Sequence, residues 1–475
     1  MTLPPASGFP VKSALLKGYD LQIREVKGRG RAIFATKRFQ PGDIVLESNP
    51  YTWVAAAERQ QSTCNRCLKD SNSLKRCSTC KSAWFCDRSC QLAAWKHHKR
   101  VCFKSETDWL QSETNTAKDE ARILDIVLEL ADSGFGLHKE NTIPRPSTAD
   151  VEAMPHATRP TALDYVLAGV VIDRQRDRCI AKNVTPSHRT VDEVVKMIVR
   201  MKCNNFSIWN ELLVPVGSGC YPAGALLNHS CEPDCIITYD LDTKVQTFRA
   251  IKTIEPGCEV THSYLDIAEA TSQRREYLLH HYGFECACPR CEAADQTLND
   301  SLHAAISSEA AGDWTGCDSQ RLDAAKQLIA KVANGELDLE ETGREIEMLE
   351  NALSMHTKYL HRHNLHRLKC LCTLHTSYLS YGLFAKDVAV LNEIVHVYTE
   401  VYPTNHPMIG LMQYTLGDVL MAVAQEQRGQ QLRTTFEAAL VSYRRALQTL
   451  TISHGAESEL CRNLHGLIQQ HSYSP

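Results

Sequence analysis

Eleven cysteine and histidine side chains stand at intervals that suit tetrahedral metal ions. The first block reads Cys64-x2-Cys67, Cys77-x2-Cys80, Cys86-x3-Cys90 and His98-x3-Cys102, eight donors in four close pairs. A two-residue gap lets one tight turn present two sulfurs to one ion. Zn²⁺ closes its shell with four thiolate or imidazole donors, so eight donors fit two closed sites. The segment's main bulk is Trp84, Phe85 and Trp95. So small an apolar reserve does not fold a chain by itself, and metal binding must supply the difference. His97 adjoins His98, but the three-residue gap to Cys102 favours His98. The second block, Cys286-x-Cys288-x2-Cys291, offers three thiolates, and Cys231, Cys235 and Cys258 are all available as a fourth. An all-thiolate set makes a closed structural site, not a catalytic one with an open position.

Three other segments carry polar and aromatic residues of a different kind. KGRGRAIFAT (27–36) leads into a strand, LLNHSCEPDC (226–235) follows a loop, and EVTHSYLD (259–266) ends a strand. Glycines such as Gly28 and Gly30 let backbone approach a ligand without a Cβ. Asn228 carries both an amide donor and an acceptor. With the CxCxxC block behind them, these segments resemble the SET domain of lysine methyltransferases. The first cysteine block resembles a MYND zinc finger in order and spacing. A finger set after the first SET strands, and a helical C-terminal region, resemble the SMYD family along essentially the whole chain.

The resemblance implies an S-adenosylmethionine-dependent protein lysine N-methyltransferase acting on histone or non-histone lysines. It implies three zinc ions: an interleaved pair held by Cys64, Cys67, Cys86 and Cys90 and by Cys77, Cys80, His98 and Cys102, and a third held by Cys231, Cys286, Cys288 and Cys291. The cofactor's methionine end falls to Lys27, Gly28, Arg29 and Gly30, with Asn204, Asn228 and His229 contacting its polar groups and Phe284 stacking on adenine. Phe206, Tyr264 and Tyr282 line the lysine channel. Tyr264 is the expected catalytic residue, also touching the cofactor, because its hydroxyl can hold amine and sulfonium in line. Bland roles compete: Phe206 and Tyr282 as core aromatics, His229 as a structural hydrogen-bonding residue, Lys27 and Arg29 as solvated turn residues. The chain departs from the family at three places. Gly257-Cys258-Glu259 replaces Gly-Glu-Glu, Glu232-Pro233-Asp234 replaces Asp-Pro-Asn, and His262 replaces an aliphatic residue.

The elements that must position these residues follow from periodicity. IVLE, TWV, CIITYDL, VQTFRAIKTI and EVTHSYL read as strands; SCQLAAWKHHKRVC, ARILDIVLELA and VDEVVKMIVRMK read as helices. The expected class is α+β. A β-rich SET domain, 1–60 and 201–268, is split by the finger (61–104) and a helical insert (105–200). A post-SET zinc segment (269–299) and an all-α, TPR-like domain (300–475) follow. In the last, Ala439, Tyr443 and Ala446 have the spacing of tetratricopeptide helices, with Leu416-Gly417 upstream as a partner half; plain helical hairpins weigh equally. These helices are expected to control substrate access.

At 475 residues several domains are expected, and the net charge of −4 demands no nucleic-acid partner. Eleven basic against three acidic residues in 58–104 leave DNA binding as a minor alternative. A catalytically weak interaction scaffold is the main rival. Peptide partners of the finger, proline-rich among them, and a monomeric state complete the expectations. No signal peptide or stretch near the roughly 20 apolar residues of a membrane span is read. Twenty cysteines without secretion point to metal binding in the cytoplasm or nucleus rather than disulfides.

Overall fold

The computed structural model describes residues 14–27, 29–103, 115–133, 143–154, 159–185, 188–293, 316–333, 336 and 344–472; Gly28 lies outside these described residues. The chain forms two compact units. One comprises 1–229, 234–262 and 277–285, and the other 230–233, 263–276 and 286–475.

In the first unit β1 (Leu21–Val26) and β2 (Gly30–Ala35) make an antiparallel hairpin. Gly30 has φ +74°, a backbone conformation that favours glycine. Strands β3 (Ile44–Ser48) and β4 (Thr52–Ala55) go to different sheets. The finger contributes β5 (Lys75–Arg76), β6 (Trp84–Phe85) and α1 (Arg88–Val101), whose first turn is capped by the Asp87 carboxylate accepting from the Cys90 amide. Its small core consists of the cysteines with Ala83, Phe85 and Ala94.

The insert is built from α2 (Asn115–Ser133), α3 (Thr148–Glu152), α4 (Ala162–Ala181) and α5 (Val191–Asn204). Ser147–Asp150, Thr161–Asp164 and Thr190–Glu193 are capping boxes, which explains where α3, α4 and α5 begin. Ile123, Leu124 and Val127 meet Val194, Ile198 and Met201 in one apolar cluster, the helical spacing read from the sequence. Beside it Arg178 of α4 is buried and donates to both oxygens of Asp125 at 2.8 Å and to Glu129 at 2.9 Å. Lys182 donates to the carbonyls of Lys99 and Arg100 at 2.8 and 2.7 Å, tying the end of α4 to the end of the finger helix.

The remaining strands are β7 (Asn205–Trp209), β8 (Pro215–Cys220), β9 (Asn228–His229), β10 (Cys235–Tyr239), β11 (Gln246–Ala250) and β12 (Thr261–His262). The sheets run β10-β11-β3, β4-β8-β7 and β12-β9, the last pair parallel. Three strands are shorter than the sequence suggests, and CIITYDL ends at Tyr239. The EVTHSYL run holds only Thr261–His262, because Glu259 bridges β2 at Phe34 while Thr261 and His262 switch to Asn228 and His229. The chain then bends where the Ser263 hydroxyl donates to the Leu265 carbonyl at 2.7 Å and accepts from its amide. Likewise VQTFRAIKTI stays a strand only to Ala250.

Among the described residues, the second unit is helical after α7 (Pro289–Glu292). The helices Pro407–Gln425 and Gly429–His454 approach so closely that a Cβ on Gly417 would lie 2.4 Å from the Tyr443 ring. Ala439 and Ala446 are fully buried, and the Tyr443 hydroxyl donates to Asp418 at 2.7 Å. Small residues at this spacing are what let one helix lie against the other. Pro407–Gln425 also has the length and mean hydropathy, 1.2, of a membrane span, which the sequence reading did not find. More than half of that stretch is buried among its neighbours, as in a core helix.

Candidate metal centres and cofactor site

Tetrahedral thiolates on one Zn²⁺ stand about 3.8 Å apart, and a thiolate and an imidazole nitrogen about 3.5 Å, given their bond lengths. In the finger, the Cys67 and Cys86 sulfurs are 3.6 Å apart, and those of Cys77 and Cys102 are 3.8 Å apart. His98 Nε2 lies 3.5 Å from Cys80 and 3.4 Å from Cys77. The His97 ring instead lies 5.4 Å from that of Trp53. Cys64, Cys67, Cys86 and Cys90 converge as one set and Cys77, Cys80, His98 and Cys102 as another, each with its donor atoms within 4.8 Å of one another. This is the interleaved arrangement, at spacings far beyond the roughly 2.05 Å of a disulfide.

The third set brings Cys231 together with Cys286, Cys288 and Cys291. Cys231 lies 4.0 Å from Cys286 and 3.6 Å from Cys291. Cys235 is buried in β10, where burial pushes its thiol well up, and Cys258 is exposed. A residue that sequence reasoning missed then tests the chemistry of the set. Arg274 is fully buried, and its Nε donates to the Cys231 sulfur at 3.1 Å while Nη2 reaches the Cys291 sulfur at 3.6 Å. A buried guanidinium needs a counter-charge. Four thiolates on Zn²⁺ carry a net charge of about −2, whereas four thiols would offer none. Arg275 adds hydrogen bonds to the carbonyls of Cys286 and Cys291, at 3.1 and 3.2 Å. The donor set therefore fits zinc.

On the cofactor side, the Asn228 side chain has a fixed orientation. Its amide nitrogen donates to the Arg31 carbonyl and to Glu259 Oε1, both at 2.9 Å. With both N–H groups used, Asn228 presents its oxygen and acts as an acceptor, one half of the dual role read from sequence. Glu259 is held in turn by Arg29 at 2.8 Å, and Lys27 is exposed. Asn204 ends α5 buried, its amide donating to the Arg200 carbonyl at 2.8 Å. His229 lies in β9 with its ring 6.2 Å from that of half-buried Phe284.

Around the expected channel, Phe206 in β7 meets Tyr221 edge-on at 6.0 Å and His262 at 5.8 Å. His262 is buried and also contacts Phe248 at 5.3 Å, so the imidazole fills the aliphatic position with an aromatic layer. Burial pushes the Tyr221 phenol far up. Tyr282 closes α6 (Thr271–Tyr282), half-buried, 6.4 Å from the Tyr277 ring. The Asp234 departure has a visible reason. Its carboxylate accepts from the Thr261 amide at 2.9 Å and hydroxyl at 2.6 Å, with Lys252 at 3.1 Å balancing the charge. That clamp fixes the start of β12. Tyr264 follows two residues after His262 and is half-buried.

A SET-domain family model matches residues 30–265. Histone-lysine N-methyltransferase ASHR1 of Arabidopsis thaliana is 24% identical over 95% of this chain and 95% of its own length. Histone-lysine N-methyltransferase SMYD3 of Homo sapiens is 25% identical over 93% and 95%. N-lysine methyltransferase SMYD2 of Homo sapiens is 29% identical over 57% and 59%. The chain belongs to the SET-domain proteins, within the SMYD family.

Proposed function

We infer that the protein is an S-adenosylmethionine-dependent protein lysine N-methyltransferase. The observation that carries this is Asn228, locked by Glu259 and Arg31 as an acceptor next to His229 in the strand that pairs with Thr261–His262. Such an acceptor suits the ammonium of an amino-acid tail. S-adenosylmethionine supplies, when bound, an electrophilic methyl group on a sulfonium. The half-buried face of Phe284 receives the adenine, and Gly28, Gly30 and Asn204 complete the methionine end. Phe206 and Tyr282 disfavour the charged form of the incoming lysine, because an apolar wall lowers an amine's pKa and only the neutral amine has a lone pair. Tyr264 orients that amine.

The three cysteine sets hold structural zinc, which plays no part in the methyl transfer. The substrate is a lysine-containing protein, histone or non-histone. The finger docks proline-rich peptides, and the protein works as a monomer in the cytoplasm or nucleus, where its thiolates stay reduced. Incubating it with methyl-labelled cofactor and a cell lysate should place the label on lysine side chains, read by amino-acid analysis of the hydrolysate. Label on arginine, or no label above a heat-killed control, would overturn the reading.

The Asn228 lock gives a separate expectation. Glu259→Ala frees the amide to rotate and removes a charged partner, an interaction of about 1.5–3 kcal/mol. Cofactor Kd by calorimetry should rise roughly tenfold, while turnover at saturating cofactor changes little. An unchanged Kd would mean the carboxylate does not orient Asn228.

A further inference from the structure

The segment that carries Tyr264 is built into the helical unit. Ile267 and Ala268 are buried in one apolar cluster with Leu371, Val397 and Val401, and Leu265 packs against it. Between them Asp266 Oδ1 accepts twice, from the Ala268 amide at 2.9 Å and from the Tyr402 hydroxyl at 2.9 Å. Tyr402 follows directly after the helix Phe384–Val401 and is almost fully buried. Its ring is held edge-on by Tyr398 at 5.1 Å and stacked on His406 at 4.4 Å. Burial pushes the Tyr402 phenol well up, so it keeps its proton. A rigid donor thus fixes a carboxylate two residues from Tyr264, across 136 residues of chain.

We propose that Tyr402 is a positioning residue for methyl transfer: by holding Asp266 it fixes the Ser263–Ala268 bend and with it the Tyr264 hydroxyl. This rests on Tyr264 being the catalytic residue. It gives the C-terminal helices a share in the chemistry, where the sequence reading assigned them substrate access alone. Positioning is where small shifts cost most, since a misplacement of about 1 Å lowers a rate on the order of a hundredfold.

Tyr402→Phe removes one hydroxyl and keeps the stacked ring. Single-turnover methyl transfer at saturating cofactor and substrate should slow roughly ten- to hundredfold, with cofactor Kd and zinc content at wild type. Tyr398→Phe, which removes a neighbouring hydroxyl that meets Cys372 rather than Asp266, should stay within about twofold. The double variant with Tyr264→Phe separates positioning from general damage. If Tyr402 acts through Tyr264, the double variant is no slower than Tyr264→Phe alone. A Tyr402→Phe rate within about twofold of wild type, or losses that multiply in the double variant, would overturn the proposal. A near-normal Tyr264→Phe rate would instead overturn the catalytic reading on which it rests.

Discussion

Cys286→Ser should lower zinc from three ions per chain to two and weaken cofactor binding in the same step. Serine offers a far poorer donor than thiolate, and the remaining three sulfurs no longer close the shell. Arg274 then loses much of the negative charge that keeps its guanidinium buried, since Cys231, its nearest sulfur, would revert toward a neutral thiol. The binding free energy of a structural zinc site is folding free energy, on the order of 10 kcal/mol. The segment 286–291 should therefore loosen, and Phe284 lies only two residues before it. Cofactor Kd should rise at least roughly tenfold, because an adenine platform that must first be ordered gives up part of its binding energy. Metal analysis by mass spectrometry and calorimetry on the same preparation test both halves. Two zinc ions with unchanged cofactor affinity would separate the site from the cofactor wall. Two or fewer ions in freshly purified wild type would contradict the ligand sets themselves.

How much of this was legible follows from how far each interaction reaches along the chain. Metal ligands announce themselves because pairs at two- or three-residue spacing are local, and four local pairs leave few ways to combine. The fourth ligand was not local: spacing left Cys231, Cys235 and Cys258 open, the family resemblance pointed to Cys231, and the fold brings Cys231 in. Helices were read well where apolar spacing and a capping box agree, as at Thr190–Glu193 before α5. Strands were overextended because β-favouring composition persists through Ser263–Leu265, where a serine hydroxyl turns the chain. Supporting residues left no signal. Glu259 orients Asn228 and ties to Arg29 across 230 positions, while Arg274 looks like any basic residue of a polar helix until it is found buried on two sulfurs. Tyr402 is likewise one aromatic among many until its hydroxyl meets Asp266. Chemistry was written in motifs, and its positioning in tertiary contacts.

Tyr264→Phe is expected to slow the chemical step by two to three orders of magnitude. The variant loses one hydroxyl and keeps the ring, so a half-buried residue should pack as before and zinc content should not move. If the hydroxyl aligns amine, methyl carbon and sulfonium chiefly in the transition state, kcat falls while cofactor affinity stays near wild type. Loss of one oriented hydrogen-bonding group where charge is redistributed commonly costs on the order of 10²–10³ in rate. A tyrosine present only for its ring predicts near-normal turnover. The direct measurement is single-turnover transfer of a labelled methyl group to lysine at saturating cofactor, which isolates chemistry from product release. Wild type is expected to methylate lysine, and Tyr264→Phe to do so at a rate roughly a hundred- to a thousandfold lower. A Tyr264→Phe rate within about threefold of wild type would contradict that expectation.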